Sequence, residues 1–239
     1  MKVVFCTPSL SGPTKPYIKA LEQSIPLIRS AGWEEAYVQE LGCPYISHAR
    51  ATMTRKALDA GADVVVYIDY DLSWRPQDLL TLIETEGEVV AGTYRYKKDE
   101  EEYMGSIKEG LDNRPFVRKS DGAIRGFRVP AGFLKVTRSA IRKIMLSYPE
   151  LVYGHPESPS VDLFQHGAHK GVWYGEDMAF SRRWIDSGGE IWVVPNLGLN
   201  HHTQDKEYTG NFHEFLLRQP GGSKCPISPS SQHQQSQAL

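Results

Sequence analysis

VVVYIDYDLSW, residues 64–74, is the stretch that decides the fold class of this chain. Its first half is a continuous run of β-branched and aromatic residues, which is typical of a parallel strand covered by helices on both faces. Asp69 and Asp71 follow directly at the carboxyl end of that strand. Ligands of open α/β sheets bind at this end of the strands. The stretch therefore predicts a central strand that leads into a ligand site.

Strands and helices alternate on both sides of this stretch. The predicted strands cover 2–5, 36–41 and 88–93, and the predicted helices cover 17–31 and 47–60. Pro76 begins a further helix, because proline is favoured at the first helical position. This alternation predicts an α/β fold with a mostly parallel central sheet flanked by helices.

The second half of the chain continues this pattern after a polar interruption. Residues 97–128 are expected to form a small antiparallel surface excursion with a hairpin at 120–122, or alternatively a mobile lid near the site. The later predicted elements are a strand at 132–136, a helix at 138–146, an irregular loop at 154–171, a helix at 176–187 and a strand at 191–194.

The domain organisation follows from these elements and from composition. We expect one domain over 1–218, whose first half covers 1–96 and whose second half, beginning with the polar interruption, covers 97–218. Residues 219–239 are poor in apolar residues and rich in Pro, Ser and Gln. Such a composition cannot form a packed core, so this tail is predicted to be disordered.

Charge and cysteine content exclude several classes of protein. The 27 Lys and Arg residues are scattered among 29 Asp and Glu residues, so no basic face favours nucleic acid. The three widely spaced cysteines do not form a disulfide framework or zinc cluster, which indicates a reduced, cytoplasmic protein. No apolar run reaches the roughly 18–20 residues of a membrane span. We expect no transmembrane segment, with peripheral membrane association still open.

The DYD motif carries the first candidate chemistry. Side chains at i and i+2 of an extended chain point to the same side, so Asp69 and Asp71 are expected to face one site. Mg²⁺ and Mn²⁺ prefer such oxygen ligands and usually leave positions open for phosphate oxygens. The motif therefore predicts a Mn²⁺ or Mg²⁺ site that binds a diphosphate.

A second group of candidate residues lies near the end of the domain. Glu176 and Asp177 begin a helix, where carboxylates are stabilised by the helix dipole, so simple capping is the alternative to a chemical role. The next strand leads to His201 and His202. Such an arrangement can return a carboxylate and an imidazole to the cleft that holds the DYD motif.

Several motifs together resemble a known family. PYISHARATMTRKALDAGADVVVYIDYDLSWRPQDLLTLIETEGEVVAGTYRYK resembles the donor-binding half of GT-A fold glycosyltransferases, close to glycosyltransferase family 2 of bacteria and viruses. PAGFLKVTRSAIRKI, GEDMAFSRRW and LNHH resemble the acceptor half of the same family. The order and spacing of the motifs agree over nearly residues 1–215. The resemblance implies a nucleotide-sugar-binding half at 1–96 and a lid and acceptor half at 97–218.

The resemblance implies a function and a set of roles. It implies transfer of a sugar from a nucleotide-diphosphate donor, with UDP as the expected carrier, to a glycan, lipid-linked or protein acceptor. Asp177 is implied as the general base, with Glu176 beside it. The implied donor contacts are Thr7, Pro8, Ser9, Arg50, Asp69, Tyr70, Asp71 and Tyr94, the implied metal ligands are Asp69, Asp71 and His201, and the implied acceptor contacts are Gly132, Phe133 and Trp173.

One departure from the family and three rival functions remain. Many relatives have an Asp at the end of the second strand to bind the base, whereas QELGC offers only Glu40. DYDLS also fits the nucleophile motif of haloacid-dehalogenase-type phosphatases, although here two β/α units precede it. A sugar nucleotidyltransferase would need a basic Gly-rich loop after the first strand, which SLSGPTKP resembles poorly. A non-catalytic binding module that had lost turnover would not need to keep the candidate catalytic and metal-binding residues, which are Asp69, Asp71, Asp177 and His201.

Overall fold

The structure is a computed structural model that describes residues 1–110 and 114–219. The predicted tail lies outside the described residues except for Gln219, which caps the last helix. The helices are α1 (Lys15–Ser30), α2 (Ile46–Asp59), α3 (Pro76–Glu84), α4 (Arg138–Ser147), α5 (Glu176–Asp186) and α6 (Phe212–Arg218). The strands are β1 (Lys2–Ser9), β2 (Glu34–Leu41), β3 (Val64–Ile68), β4 (Leu72–Ser73), β5 (Val89–Ala91), β6 (Ser106–Ile107), β7 (Ile124–Arg128), β8 (Phe133–Thr137), β9 (Val152–His155), β10 (Ser158–Val161), β11 (Gly167–His169), β12 (Val172–Tyr174), β13 (Ile191–Val193), β14 (Asn200–His202) and β15 (Glu207–Tyr208).

Eight strands form the central sheet, in the order β2-β1-β3-β8-β5-β13-β7-β6. β1 pairs in parallel with β2 and β3, and β5 pairs in parallel with β13. β8 runs antiparallel between β3 and β5, and β7 is antiparallel to β13. The predicted α/β architecture with a mostly parallel sheet is therefore confirmed.

Helices cover both faces of this sheet because the strands are apolar on both faces. Val65 and Tyr67 of β3 face a core that includes residues of α2, α4 and α5. Val64, Val66 and Ile68 of the same strand face residues of α1 and α3. The sheet is therefore a middle layer, and its carboxyl edge is the place where the loops meet.

Two sequence predictions differ from the structure. The irregular loop predicted at 154–171 contains most of the hairpin β9–β10 and the first strand of the hairpin β11–β12. The polar excursion ends in β7, which joins the central sheet with Ile124 fully buried. Only Ile124 and Gly126 of IRGFR are buried, and a strand with two arginines and two buried residues has no clear apolar pattern.

The remaining predictions for these segments agree with the structure. Val117 pairs with Ile124 in an antiparallel bridge around the predicted hairpin turn, where Gly122 has φ +75°. Pro76 is the first residue of α3. Within the described residues, no helix combines the length and the apolar character that crossing a membrane requires.

Candidate functional site

The chain turns at the end of β3, and this turn presents the two aspartates. The backbone N–H of Leu72 donates to the carbonyl of Asp69 at 3.2 Å, so residues 69–72 are not extended. The predicted extended geometry of the DYD motif is therefore wrong. Each carboxylate has its own set of partners instead.

Asp69 is bound by Arg50, which comes from the first turns of α2. The Arg50 guanidinium donates to Asp69 Oδ1 at 3.0 Å, lies 3.4 Å from Glu176 Oε1 and lies 3.7 Å from Asp177 Oδ1. The guanidinium also lies 5.0 Å from the ring centre of Phe164. Only 2% of Arg50 is exposed. One buried cation therefore joins the end of β3 to the start of α5.

These neighbours set the pKa of Arg50. Burial alone would lower it, but the charges of Asp69, Asp177 and Glu176 outweigh burial and raise the pKa above its usual value. Arg50 is thus a fixed positive charge. The predicted contact of Arg50 with the donor stays a prediction, because its guanidinium is buried against the three carboxylates.

Asp177 has an unusual environment for a carboxyl group. Burial raises its pKa to about 7, with the charges of Glu176 and Asp69 adding to the effect and Arg50 opposing it. Its Oδ1 atom is buried without a hydrogen-bond partner, while a quarter of the side chain stays exposed. A carboxyl with this pKa can take up a proton near neutral pH.

Asp71 faces a different set of partners. Its Oδ2 atom lies 3.6 Å from His201 Nε2 and forms an ion pair with Lys97. β14 pairs with β4, opposing His201 to Leu72, and this pairing brings the imidazole to the DYD turn. Burial would raise the pKa of Asp71, but His201 and Lys97 hold it below its usual value. The predicted closeness of Asp71 and His201 is therefore present in the structure.

The tautomer of His201 follows from its second contact. Its Nδ1 atom lies 2.9 Å from the carbonyl of Arg95. A carbonyl can only accept, so Nδ1 carries a proton and donates it, and Nε2 is the ring nitrogen that faces Asp71. This backbone carbonyl orients the ring as in metal-binding histidines. Within residues 1–110 and 114–219, no cluster of three or more His, Cys, Asp or Glu side chains could hold a metal ion.

Gly132 closes the site from the β8 side. The Tyr94 hydroxyl donates to Asp69 Oδ2 at 3.2 Å, and the Gly132 carbonyl accepts from the Asp69 N–H at 2.9 Å. A Cβ atom on Gly132 would lie 2.3 Å from Asp69 Oδ2 and 2.1 Å from the Tyr94 oxygen. Glycine is therefore required for the backbone to approach Asp69.

The predicted donor contacts after β1 are mostly engaged within the protein. The Thr7 hydroxyl is buried against the Tyr17 hydroxyl, and Pro8 is buried. Ser9 Oγ accepts from the Gly12 N–H at 2.8 Å. Tyr70, between the two aspartates, keeps 37% of its surface exposed.

The predicted acceptor contacts lie in different places. Phe133 is fully buried and packs against Trp74, with ring centres 5.5 Å apart. Trp173 is 67% exposed on β12. A cleft of about 270 Å³ opens beside Glu176 and Asp177 and is lined also by Tyr96 and Arg128. The predicted catalytic pair therefore borders an open space.

Lys97 is the site residue that sequence reasoning missed. It begins the polar run KKDEEE, whose charges favour a solvated surface segment or a mobile lid. The run begins shortly after β5. An antiparallel bridge between Arg95 and Tyr103, on either side of the run, brings the chain back towards the sheet edge. Its place directly after TYRY, at the end of a central strand, was the available signal.

Comparison with known proteins gives likenesses in structure only. No family model and no curated protein matches the sequence. A mannose-1-phosphate geranyltransferase of Thermus thermophilus has a TM-score of 0.43 and 15% identity over 81% of this chain and 74% of its own. S. aureus TarS 1-349 has a TM-score of 0.45 and 10% identity, over 89% of this chain and 61% of its own. A glycosyltransferase involved in the glycosylation of the major capsid of PBCV-1 has a TM-score of 0.35 and 14% identity, over 62% of this chain and 67% of its own. The function is therefore inferred from the site itself.

Substituting Gly132 by Ala should destabilise the fold by about 1–3 kcal/mol, because the added Cβ must displace Asp69 or Tyr94. The measurement is the free energy of unfolding in urea. Gly175→Ala is the control, since its Cβ would meet no atom within 4 Å and its φ is −64°. Gly175 is the N-cap of α5 and Ala is a poorer cap than Gly, so the control should cost about 0.5 kcal/mol, less than Gly132→Ala. Equal stability of Gly132→Ala and wild type would contradict the close approach.

Proposed function

We propose that this protein is a metal-dependent glycosyltransferase that moves a sugar from a nucleotide-diphosphate donor to an acceptor hydroxyl with inversion. The proposal rests on one observation: two groups of site residues lie together at one edge of the sheet. Asp71 and His201 form one group, and Asp177 forms the other with Asp69 through Arg50. The first suits a metal with a diphosphate, and the second suits proton transfer.

The donor side would hold the metal. Asp71 Oδ2 and His201 Nε2 lie 3.6 Å apart and could both ligate one metal, and a metal that binds nucleotides commonly completes its shell with phosphate oxygens and water. Asp71 and His201 would therefore hold Mn²⁺ or Mg²⁺, which as a Lewis acid would stabilise negative charge on the departing nucleoside diphosphate. Asp69 would contact the ribose or the metal's water shell.

Lys97 has a defined role in this arrangement. Its ammonium pairs with the same Oδ2 atom that faces His201. Two cations at one carboxylate oxygen repel each other, so a metal on Asp71 would displace the Lys97 ammonium. The displaced ammonium could then pair with a phosphate of the donor.

The acceptor side depends on Asp177. An acceptor hydroxyl is a weak nucleophile and must lose a proton as it attacks the anomeric carbon. Asp177 borders the cleft and has a pKa of about 7, so its carboxylate can accept that proton. Direct displacement from the face opposite the leaving diphosphate inverts the configuration at that carbon.

The rival functions find less support in the same contacts. In a phosphatase, Asp69 would be the nucleophile, but its two oxygens are bound by Arg50 and Tyr94, which reduces their nucleophilicity. A nucleotidyltransferase would transfer a nucleoside monophosphate from a nucleoside triphosphate and release pyrophosphate. A glycosyltransferase releases a nucleoside diphosphate, so product analysis separates the two.

Substituting Asp177 by Asn should lower sugar transfer by about 10²–10⁴-fold, because the amide cannot accept the proton. Transfer is measured as formation of nucleoside diphosphate, and donor affinity is measured separately by calorimetry. Donor affinity should stay near the wild-type value. Asp186→Asn, an exposed change on the same helix, is the control for helix stability. Normal turnover by Asp177→Asn would refute the assigned base.

The pH dependence of kcat/KM should follow the proton on Asp177. The base works only when deprotonated, so kcat/KM should rise about tenfold per pH unit below pH 7 and level off above it. Glu176→Gln should shift this rise to lower pH, because the Glu176 charge helps to raise the Asp177 pKa. A wild-type profile that is flat from pH 5 to pH 8 would contradict the prediction.

A further inference from the structure

The cleft beside the proposed base combines apolar and polar side chains. Its apolar lining residues are Tyr96, Met104, Val129, Pro130 and Met178, and its polar ones are Ser106, Arg128, Glu176 and Asp177. Tyr96 is the aromatic residue of this set, and 38% of its surface is exposed. An aromatic ring at an open cleft offers a flat apolar surface to a ligand. The proposed transfer uses Asp177 in this cleft but does not define the class of acceptor.

Strand pairing directs the Tyr96 side chain to the same side of the chain as that of Tyr94. An antiparallel bridge joins Arg95 to Tyr103, and the Tyr96 N–H donates to the Glu102 carbonyl at 3.0 Å. Side chains two residues apart in such a paired segment point to the same side. The Tyr94 hydroxyl reaches the acidic site at the end of β3, so the Tyr96 ring extends the same surface into the cleft.

The Tyr96 ring is held in position by its own segment. Lys98 Nζ lies 5.4 Å from the ring centre and pairs with the Glu102 carboxylate. The Lys98 N–H also donates to the Tyr96 carbonyl at 2.9 Å. Lys98 does not line the cleft, so it leaves the ring accessible from the cleft. A ring that is already positioned lowers the ordering cost of binding a ligand.

This combination of side chains fits the ring of a sugar. A pyranose presents C–H groups on its faces and hydroxyl groups around its edge. Those C–H groups carry partial positive charge and the face of an aromatic ring is negative, so the two attract each other. Met104 and Met178 add adaptable apolar contacts. Ser106 and the carboxylates of Glu176 and Asp177 can bind the hydroxyl groups.

Other classes of acceptor match the cleft less well. An acyl chain would cover Glu176 and Asp177 without giving them hydrogen-bond partners, which is costly. A serine or threonine hydroxyl of a protein could reach Asp177 without using the Tyr96 ring. A strongly anionic acceptor would be repelled by the two carboxylates. Arg128 offers it little compensation, because its guanidinium lies 5.4 Å from the ring centre of Phe127, which does not line the cleft.

We propose that the cleft binds a sugar ring of the acceptor, with the Tyr96 ring stacked on one face of the sugar and a sugar hydroxyl at Asp177. This inference rests on the proposed sugar transfer, and it names the acceptor class as a glycan or glycoside. The cleft volume of about 270 Å³ accommodates one sugar ring. Tyr96 thus determines acceptor specificity and takes no part in the proton transfer.

Methyl pyranosides of glucose, galactose, mannose and N-acetylglucosamine are the probes for the cleft. Their binding is measured by calorimetry and saturation-transfer NMR, both without nucleotide and with a nucleoside diphosphate and Mn²⁺. Wild type should bind at least one of them saturably. Tyr96→Ala should weaken that binding by about fivefold or more, because the stacked ring is lost, whereas Tyr96→Phe should stay within about twofold of wild type. Tyr153→Ala removes a comparably exposed tyrosine on β9 and should bind as wild type does.

Two results would overturn the assignment of the cleft. One is the absence of saturable binding of every methyl pyranoside under both conditions. The other is binding that Tyr96→Ala leaves unchanged, and loss of such binding in Asp71→Asn would place the sugar in the donor site instead. Binding of the nucleoside diphosphate with Mn²⁺ is measured on the same proteins, so failure of the donor site is recognised separately from failure of the cleft.

The acceptor class is tested by comparing the tightest-binding methyl pyranoside with glycerol, which has hydroxyl groups but no ring. Transfer is measured as formation of nucleoside diphosphate at equal acceptor concentration. Wild type should use the pyranoside about tenfold faster or more, and Tyr96→Ala should reduce this preference mainly by raising KM for the pyranoside. Equal rates for the two acceptors in wild type would overturn the inference, whereas no release of nucleoside diphosphate with any acceptor would count against the proposed transfer itself.

Discussion

The buried guanidinium of Arg50 is the interaction on which the site depends. It lies between Asp69 at the end of β3 and the two acids that begin α5, so it holds together segments more than a hundred residues apart. Without it, three carboxylates would repel one another in a small, poorly solvated space. Removing one member of such a buried pair typically costs about 3–5 kcal/mol, because the other charges remain. Arg50 therefore makes an acidic site compatible with a folded sheet edge.

The same arrangement places the three aspartates of the site in different surroundings. Asp69 accepts from Arg50 and Tyr94, and Asp71 is held charged by Lys97 and His201. Asp177 lies at the far end of the network, where burial and its acidic neighbours outweigh Arg50 and raise its pKa to about 7. Three aspartates in different surroundings can thus serve different purposes, and Asp177 is the one that can exchange a proton near neutral pH.

Sequence patterns predicted the parts of this site that depend on local order. The apolar run of β3 placed Asp69 and Asp71 at a strand end, and the start of α5 placed Glu176 and Asp177. The contacts of Arg50, the close approach of Gly132 and the ion pair of Lys97 could not be predicted, because each depends on which distant segments pack together. The sharp turn at 69–72 was missed for a related reason: antiparallel pairing of β4 with β14 bends the chain there, and periodicity does not report such pairing.

Calorimetric titration with nucleoside diphosphates, with and without Mn²⁺, is the decisive measurement for the proposed donor site. At least one nucleoside diphosphate should bind saturably, binding should be much weaker without metal, and Asp71→Asn should remove the metal-dependent part. Binding that is the same with and without metal would contradict the assigned donor site, as would a complete absence of nucleotide binding.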